Sequence, residues 1–186
     1  MTNICICGGG SLAHVCAGVL SSHSEVEVNI LTRKPEHWSH HLQVKDINGR
    51  VYCGNLTTIS NSPPNALMGC DIVFLCLPGF AIEDTLEIIK PFIGDAIVGS
   101  IVCSTGFFFA AHRILGETAR LFGFQRVPYI ARIVEYGHLA SLLGYKPQLA
   151  IAVENVVEKE AFCKMVESLW MTPTKLLASH YEVSLT

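Results

Sequence analysis

The sequence predicts an α/β fold: a doubly wound, mainly parallel sheet with helices on both faces and extra strands in the last third. Three observations predict it. Short apolar runs alternate with segments of helical periodicity along most of the 186 residues. The composition is 50% hydrophobic and only 16% charged, which suits strands buried on both faces. The first apolar run ends in three glycines, Gly8-Gly9-Gly10, and a helical pattern opens directly after them.

Asn3 to Cys7 is a short apolar run stopped by those glycines, as a buried parallel strand ends. From Leu12 the residues Leu12, Val15, Cys16, Val19 and Leu20 recur at helical spacing and give a helix with one buried face. Val26 to Leu31 is a second strand, which completes a βαβ unit whose strands are parallel by the right-handed crossover rule. Asn48-Gly49 is a hairpin turn between arms at Val44 to Ile47 and Val51 to Cys53. Pro63 to Met68 is a short helix and Asp71 to Leu77 a near-continuous apolar strand. A helix from Ala81 to Ile89 is broken by Pro91. Ala96 to Ser100 is a strand, and Phe107 to Phe122 reads as a helix ending near Gly123. In the last third, Val127 to Val134, Leu139 to Leu143 and Gln148 to Val153 read as strands, with Gly137 and Gly144 as stops. A helix with Phe162, Met165, Val166, Leu169 and Trp170 on one face follows, then a short strand at Thr174 to Leu177. With no repeat and no linker, residues 1–186 are expected to form one domain.

Charge and hydropathy narrow the partners. A net charge of -3 argues against a nucleic-acid or anionic-membrane partner, since both need a basic face. No apolar run is long enough to span a bilayer, and no basic segment leads into a signal-peptide core. A cytoplasmic protein is expected. Most of the eight cysteines lie in apolar stretches such as Ile4-Cys5-Ile6-Cys7, and no pair has CxxC spacing. They read as reduced core thiols.

The chemistry begins at the glycines. Gly8-Gly9-Gly10-Ser11-Leu12-Ala13 fits GxGxxA between a strand and a helix. Gly8 permits the tight turn, Gly10 lets the backbone approach a pyrophosphate, and Ala13 lets helix and strand pack closely. The pyrophosphate would sit on the free N–H groups of the helix N-terminus. In that context the motif defines a Rossmann-type dinucleotide site. An NAD-specific site places Asp or Glu at the end of the second strand. Here Leu31-Thr32-Arg33-Lys34 offers no carboxylate and two cations, so NADP is preferred over NAD, unless Arg33 and Lys34 simply face solvent. Leu77-Pro78-Gly79, past the third parallel strand, lies on the same carboxyl edge and either leaves room for the cofactor or is an ordinary strand–helix turn.

These residues resemble the octopine/nopaline (opine) dehydrogenase family. The resemblance rests on Gly8-Gly9-Gly10-x-x-Ala13-His14, Val26-Glu27-Val28-x-Ile30-Leu31-Thr32, Leu77-Pro78-Gly79-Phe80-Ala81, and Gly106-Phe107-x-Phe109 leading to Ile114-Leu115-Gly116. Its most specific stretch is Pro128-Tyr129-Ile130-Ala131-Arg132-Ile133-Val134-Glu135-Tyr136-Gly137. It implies an NAD(P)-dependent oxidoreductase that reductively condenses an amino acid with a 2-keto acid. It also implies a helical C-terminal domain carrying the catalytic His and its carboxylate partner. This chain is expected to stop where that domain begins, to be inactive alone and to hold no catalytic residue of its own. Ser11-Leu12 departs from the small polar pair usual in the family's turn.

Arg132 and Glu135 are the substrate-side candidates: a buried Arg132 could bind a keto-acid carboxylate, or the two could form a structural pair between strands. His37, His40 and His41 form a histidine cluster better read as a solvated face than as a metal site, so no metal is expected. His14 lies just behind the turn, in reach of the cofactor or in a packing role. Cys103-Ser104-Thr105-Gly106 places hydroxyls near another strand end, but Cys103 has no partner base and is not a nucleophile. Two other functions compete: a reductase like ketopantoate or glycerol-3-phosphate dehydrogenase, and a non-catalytic dinucleotide-binding module. Self-association through an exposed apolar surface is the remaining partner expectation.

Overall fold

The computed structural model describes residues 1–104 and 106–185. Its elements are β1 (Thr2–Cys7), α1 (Ser11–Ser21), β2 (Val26–Leu31), β3 (His41–Asp46), β4 (Val51–Ser60), α2 (Pro63–Leu67), β5 (Ile72–Leu75), α3 (Ile82–Ile89) and β6 (Ile97–Ser100). There follow α4 (Phe107–Leu115), β7 (Leu121–Phe124), β8 (Tyr129–Glu135), β9 (Leu139–Tyr145), β10 (Leu149–Glu154), α5 (Lys159–Trp170), β11 (Thr174–Leu176) and α6 (His180–Ser184). The strands form one sheet in the order β11-β10-β7-β6-β5-β1-β2-β4-β3-β9-β8. Among the described residues, antiparallel pairing is confined to β3–β4, β7–β10 and β8–β9.

Alternate residues of β1 point into two cores. Ile4 and Ile6 pack with α1 and α5, whereas Cys5 and Cys7 pack with α2, α3, α4 and α6. The sheet is therefore covered on both faces, and its central strands are mainly apolar because neither face meets water. From β1 the chain passes to β2 on one side and later returns as β5 on the other. That reversal opens a crevice at the carboxyl ends of the strands.

Three sequence expectations need correction. The helix expected over Phe107 to Phe122 stops at Leu115, where Gly116 takes up a positive φ, and Leu121–Phe124 is β7 instead. Every residue of Leu121-Phe122-Gly123-Phe124 is buried, which is the signature of an interior strand and carries no helical face. The hairpin around Asn48-Gly49 is present, but Ile47 lies in the turn and is 66% exposed. Its second arm runs on to Ser60 and joins the main sheet parallel to β2. The strand expected over Asp71 to Leu77 is shorter, Ile72–Leu75, although the Cys76 amide still donates to the Cys7 carbonyl at the end of β1. Six of the eight cysteines are buried; Cys53 is exposed and Cys70 half-buried.

Candidate functional site

The end of β1 shows why its turn is made of glycines. Gly8 has φ +146, and a Cβ there would lie 2.6 Å from the Cys76 carbonyl oxygen, so the turn closes only without a side chain. Its amide donates to the Leu31 carbonyl at the end of β2. Gly10 is the N-cap of α1, and a Cβ there would have open space around it. The first helical bond of α1 runs from the His14 amide to the Gly10 carbonyl, at 3.1 Å. The amides of Ser11, Leu12 and Ala13 thus have no partner inside the helix. No side chain caps this terminus and no acidic residue lies in its first turn. The positive end of the helix faces the crevice uncompensated, as an anion site requires. Ala13 is fully buried where α1 packs against the strand.

The remaining cofactor candidates gather along the same edge. Thr32, buried, follows β2, and its amide donates to the Ser60 carbonyl. Its hydroxyl is 3.1 Å from where a Gly9 Cβ would stand. Arg33 and Lys34 are exposed and, among the described residues, enter no ion pair. Leu77, Pro78 and Gly79 follow β5. Beside them a cleft of about 600 Å³ lies between Gly79, Phe80, Glu83, Gly106, Phe109 and Arg113. Of the hydroxyl-bearing stretch after β6, Thr105 lies outside the described residues. Cys103 is fully buried, and burial pushes its thiol far above the ordinary range, which keeps it from acting as a nucleophile.

A clamp on the glycine turn comes from the β8–β9 connection. The Gly137 amide donates to His14 Nε2 at 2.8 Å, so the ring proton sits on Nδ1 and is donated to the Gly10 carbonyl at 2.9 Å. His14 is fully buried, stacks on Trp38 at 4.0 Å and meets the edge of Tyr136 at 4.9 Å. Burial lowers its pKa below the ordinary imidazole value, partly opposed by the bond to Gly10. Gly137 has φ +74, and a Cβ there would lie 2.0 Å from the His37 carbonyl oxygen. Tyr136 places its hydroxyl over Gly9 and accepts a hydrogen bond from Trp38 Nε1 at 3.4 Å. From the sequence, Gly137 reads as a strand stop and, with Tyr136, as part of the stretch most specific to the family resemblance, and nothing there links either to Trp38 or to the glycine turn. The only available signal was an aromatic–glycine pair at a strand end.

Arg132 and Glu135 are placed differently from the expectation. β8 is an edge strand whose inner residues Tyr129 and Ala131 are buried, and Arg132 lies on its open face between Ile130 and Val134. It is exposed rather than buried, donates from Nη1 to the Ala131 carbonyl at 3.0 Å, and forms no ion pair with Glu135 among the described residues. The three histidines also fail to converge. His37 faces Glu36, His40 bonds to the Leu56 carbonyl, and His41 bonds to Asn55.

A glycine turn that ends β1 and opens onto a bare helix N-terminus at the sheet's switch point defines a Rossmann-type dinucleotide-binding domain. Within that class, the model of the ketopantoate reductase PanE/ApbA family matches residues 4–104, and the chain belongs to this family. The resemblance to opine dehydrogenases holds in sequence and in structure. Octopine dehydrogenase of Pecten maximus is 31% identical over 166 residues, covering 81% of this chain and 42% of that protein. Tauropine dehydrogenase of Arabella iricolor is 29% identical over 172 residues, covering 83% of this chain and 43% of that protein. The solved structure of octopine dehydrogenase with NADH and agmatine superposes with a TM-score of 0.89 at 26% identity, over 98% of this chain and 50% of that one. The chain spans about half the length of these relatives.

Proposed function

We propose that this chain is the NAD(P)-binding part of an opine-type dehydrogenase, which reductively condenses an amino acid with a 2-keto acid. The observation that carries the reading is the clamp from Gly137 through His14 to Gly10, because it ties the stretch most specific to the opine family to the phosphate turn. The solved octopine dehydrogenase complexes contain NADH with agmatine, L-arginine or pyruvate, which supports amino-acid-like and keto-acid substrates. In this reading the chain holds the pyrophosphate on the Ser11, Leu12 and Ala13 amides and orients the nicotinamide along the Leu77–Gly79 edge. Bound cofactor would supply a hydride to an imine carbon, and no proton donor is assigned among the described residues. Arg132, exposed on the open face of β8 and in no ion pair among the described residues, is the group suited to a substrate carboxylate, with Glu135 further along the same strand as the other substrate-side candidate.

NADPH is the preferred reductant, because Arg33 and Lys34 stand uncommitted where a ribose-binding carboxylate would otherwise be. The relative crystallised with NADH makes this a point to measure. Phe80, 88% exposed, and Phe109, 46% exposed, rim the cleft and form the apolar surface for a second domain, or for self-association when the chain stands alone. No helix among the described residues is long and apolar enough to cross a membrane, and a cytoplasmic setting belongs to the same proposal.

A ketopantoate-type reductase is the second reading, favoured by the family match over residues 4–104. A keto-acid assay of the complete enzyme, with and without amino acids, separates the two. Oxidation of NADPH that requires the amine supports the opine reading, and oxidation that ignores it supports the reductase. Dinucleotide binding with no turnover on any keto acid would indicate a binding module.

A further inference from the structure

We propose a second site, a zinc-class metal centre formed by His112, Glu154 and His180. It lies at the sheet edge opposite the phosphate turn: Glu154 ends β10 and pairs with Leu121 at the start of β7, whereas Gly8 follows the end of β1. The three residues come from α4, β10 and the first position of α6. One ligand atom from each lies within 4.8 Å of the others. Two donors on one tetrahedral zinc ion, each about 2.1 Å from it, stand about 3.4 Å apart, so an ion would draw the two imidazoles together and part each slightly from its Glu154 oxygen. His112 Nε2 is 2.7 Å from one Glu154 oxygen, and His180 Nδ1 contacts the other. Their side chains are 15%, 20% and 12% exposed, in the order His112, Glu154, His180, so a bound ion is partly shielded and reachable.

Two further observations point to a cation. His112 has a carboxylate near each ring nitrogen: Glu154 at Nε2, and Glu117 3.5 Å from Nδ1. His112 Nδ1 is buried and makes no hydrogen bond. A metal on Nε2 fits this placement: an N–H on Nδ1 would face Glu117, the carboxylate–histidine–metal arrangement that orients ligating imidazoles. The His180 ring is held in place by Phe108, at 5.2 Å and nearly parallel, and by the edge of Phe109 at 5.7 Å. Two imidazole nitrogens and one carboxylate favour zinc-like ions over calcium or magnesium, which take oxygen ligands. The ion would pin α6 to α4 and β10. The site does not depend on dinucleotide binding.

The test uses the chain stripped with EDTA and titrated with Zn2+ and, for its absorption, Co2+. One ion per chain is expected, with the ligand-field bands of four-coordinate cobalt and slower hydrogen exchange in residues 180–184. Glu154→Gln and His180→Asn should each weaken binding about 100-fold and Glu117→Gln about tenfold. The double variant His37→Asn/His41→Asn should leave binding unchanged. Failure of the stripped wild type to bind an ion would overturn the proposal and leave a hydrogen-bonded clamp. So would binding that moves with His37 and His41 rather than with Glu154. Should the ligand variants not fold, the wild-type cobalt spectrum and the exchange at residues 180–184 decide the matter.

Discussion

His14 does at residue scale what the turn cannot do for itself: it holds two backbone segments by opposite sides of one neutral ring. Protonating Nε2 would turn the acceptor for the Gly137 amide into a second donor facing that amide, in a buried setting packed against the Trp38 and Tyr136 rings. Its folded-state pKa lies below the ordinary value of 6.5, so the unfolded chain takes up the proton first. The stability owed to His14 is therefore complete above about pH 6.5 and is lost as the pH falls through the folded-state pKa. Denaturant titrations between neutral and mildly acidic pH should show this fall in the wild type and a flatter profile in His14→Gln. Arg33→Ala should weaken NADPH binding about 10-fold to 100-fold and NADH binding far less; equal losses would remove the 2′-phosphate assignment. Much at this scale was legible. The glycine turn announces itself because each small residue answers a local backbone demand. Trp38 and Tyr136 were not, because they meet His14 and the turn from distant parts of the chain, and the exposure of Arg132 was not, because a lone sequence does not say that β8 is an edge.

At the scale of elements, the strands near the N-terminus were readable because their apolar runs are bounded by glycine or polar residues. The segment after α4 was not. Ile114-Leu115 and Leu121-Phe122 continue an apolar rhythm across Gly116, and periodicity alone does not separate a helix that stops from one that continues. What decides is packing: Phe122 and Phe124 meet Phe74 and Trp170 in the core beneath α5. Trp170 is fully buried at the end of α5 and also contacts Phe74 edge-on at 4.9 Å. Trp170→Ala should cost about 3–5 kcal/mol in denaturant unfolding. At the β8–β9 connection, Gly137→Ala should be destabilising whatever the rest of the chain does, since the added Cβ meets backbone at an already left-handed position. Dinucleotide affinity should fall in the same variant, because the clamp on His14 goes with it.

Across the whole molecule, the chemistry divides between two edges of one sheet. The carboxyl edge of the parallel strands carries the glycine turn, Thr32, Arg33 and Leu77–Gly79. The opposite edge carries His112, Glu154 and His180. The first was legible because a single stretch of sequence builds most of it. The second was hidden because its ligands are 42 and 26 residues apart and meet only after β10 inserts beside β7. The chain spans about half the length of the curated relatives it matches, and the dinucleotide site proposed for it is built from these residues alone. The most direct measurement is an equilibrium titration of this chain and its Gly10→Val variant with NADPH and NADH, read by nicotinamide fluorescence. Space is open around Gly10, so valine should cost only the loss of a favourable N-cap, about 1 kcal/mol, and leave the chain folded while closing the approach to the helix N-terminus. One dinucleotide bound per wild-type chain, tighter for NADPH, and none bound by a folded variant is the predicted result. A wild type that binds neither dinucleotide, or a variant that binds as well as the wild type, would contradict it.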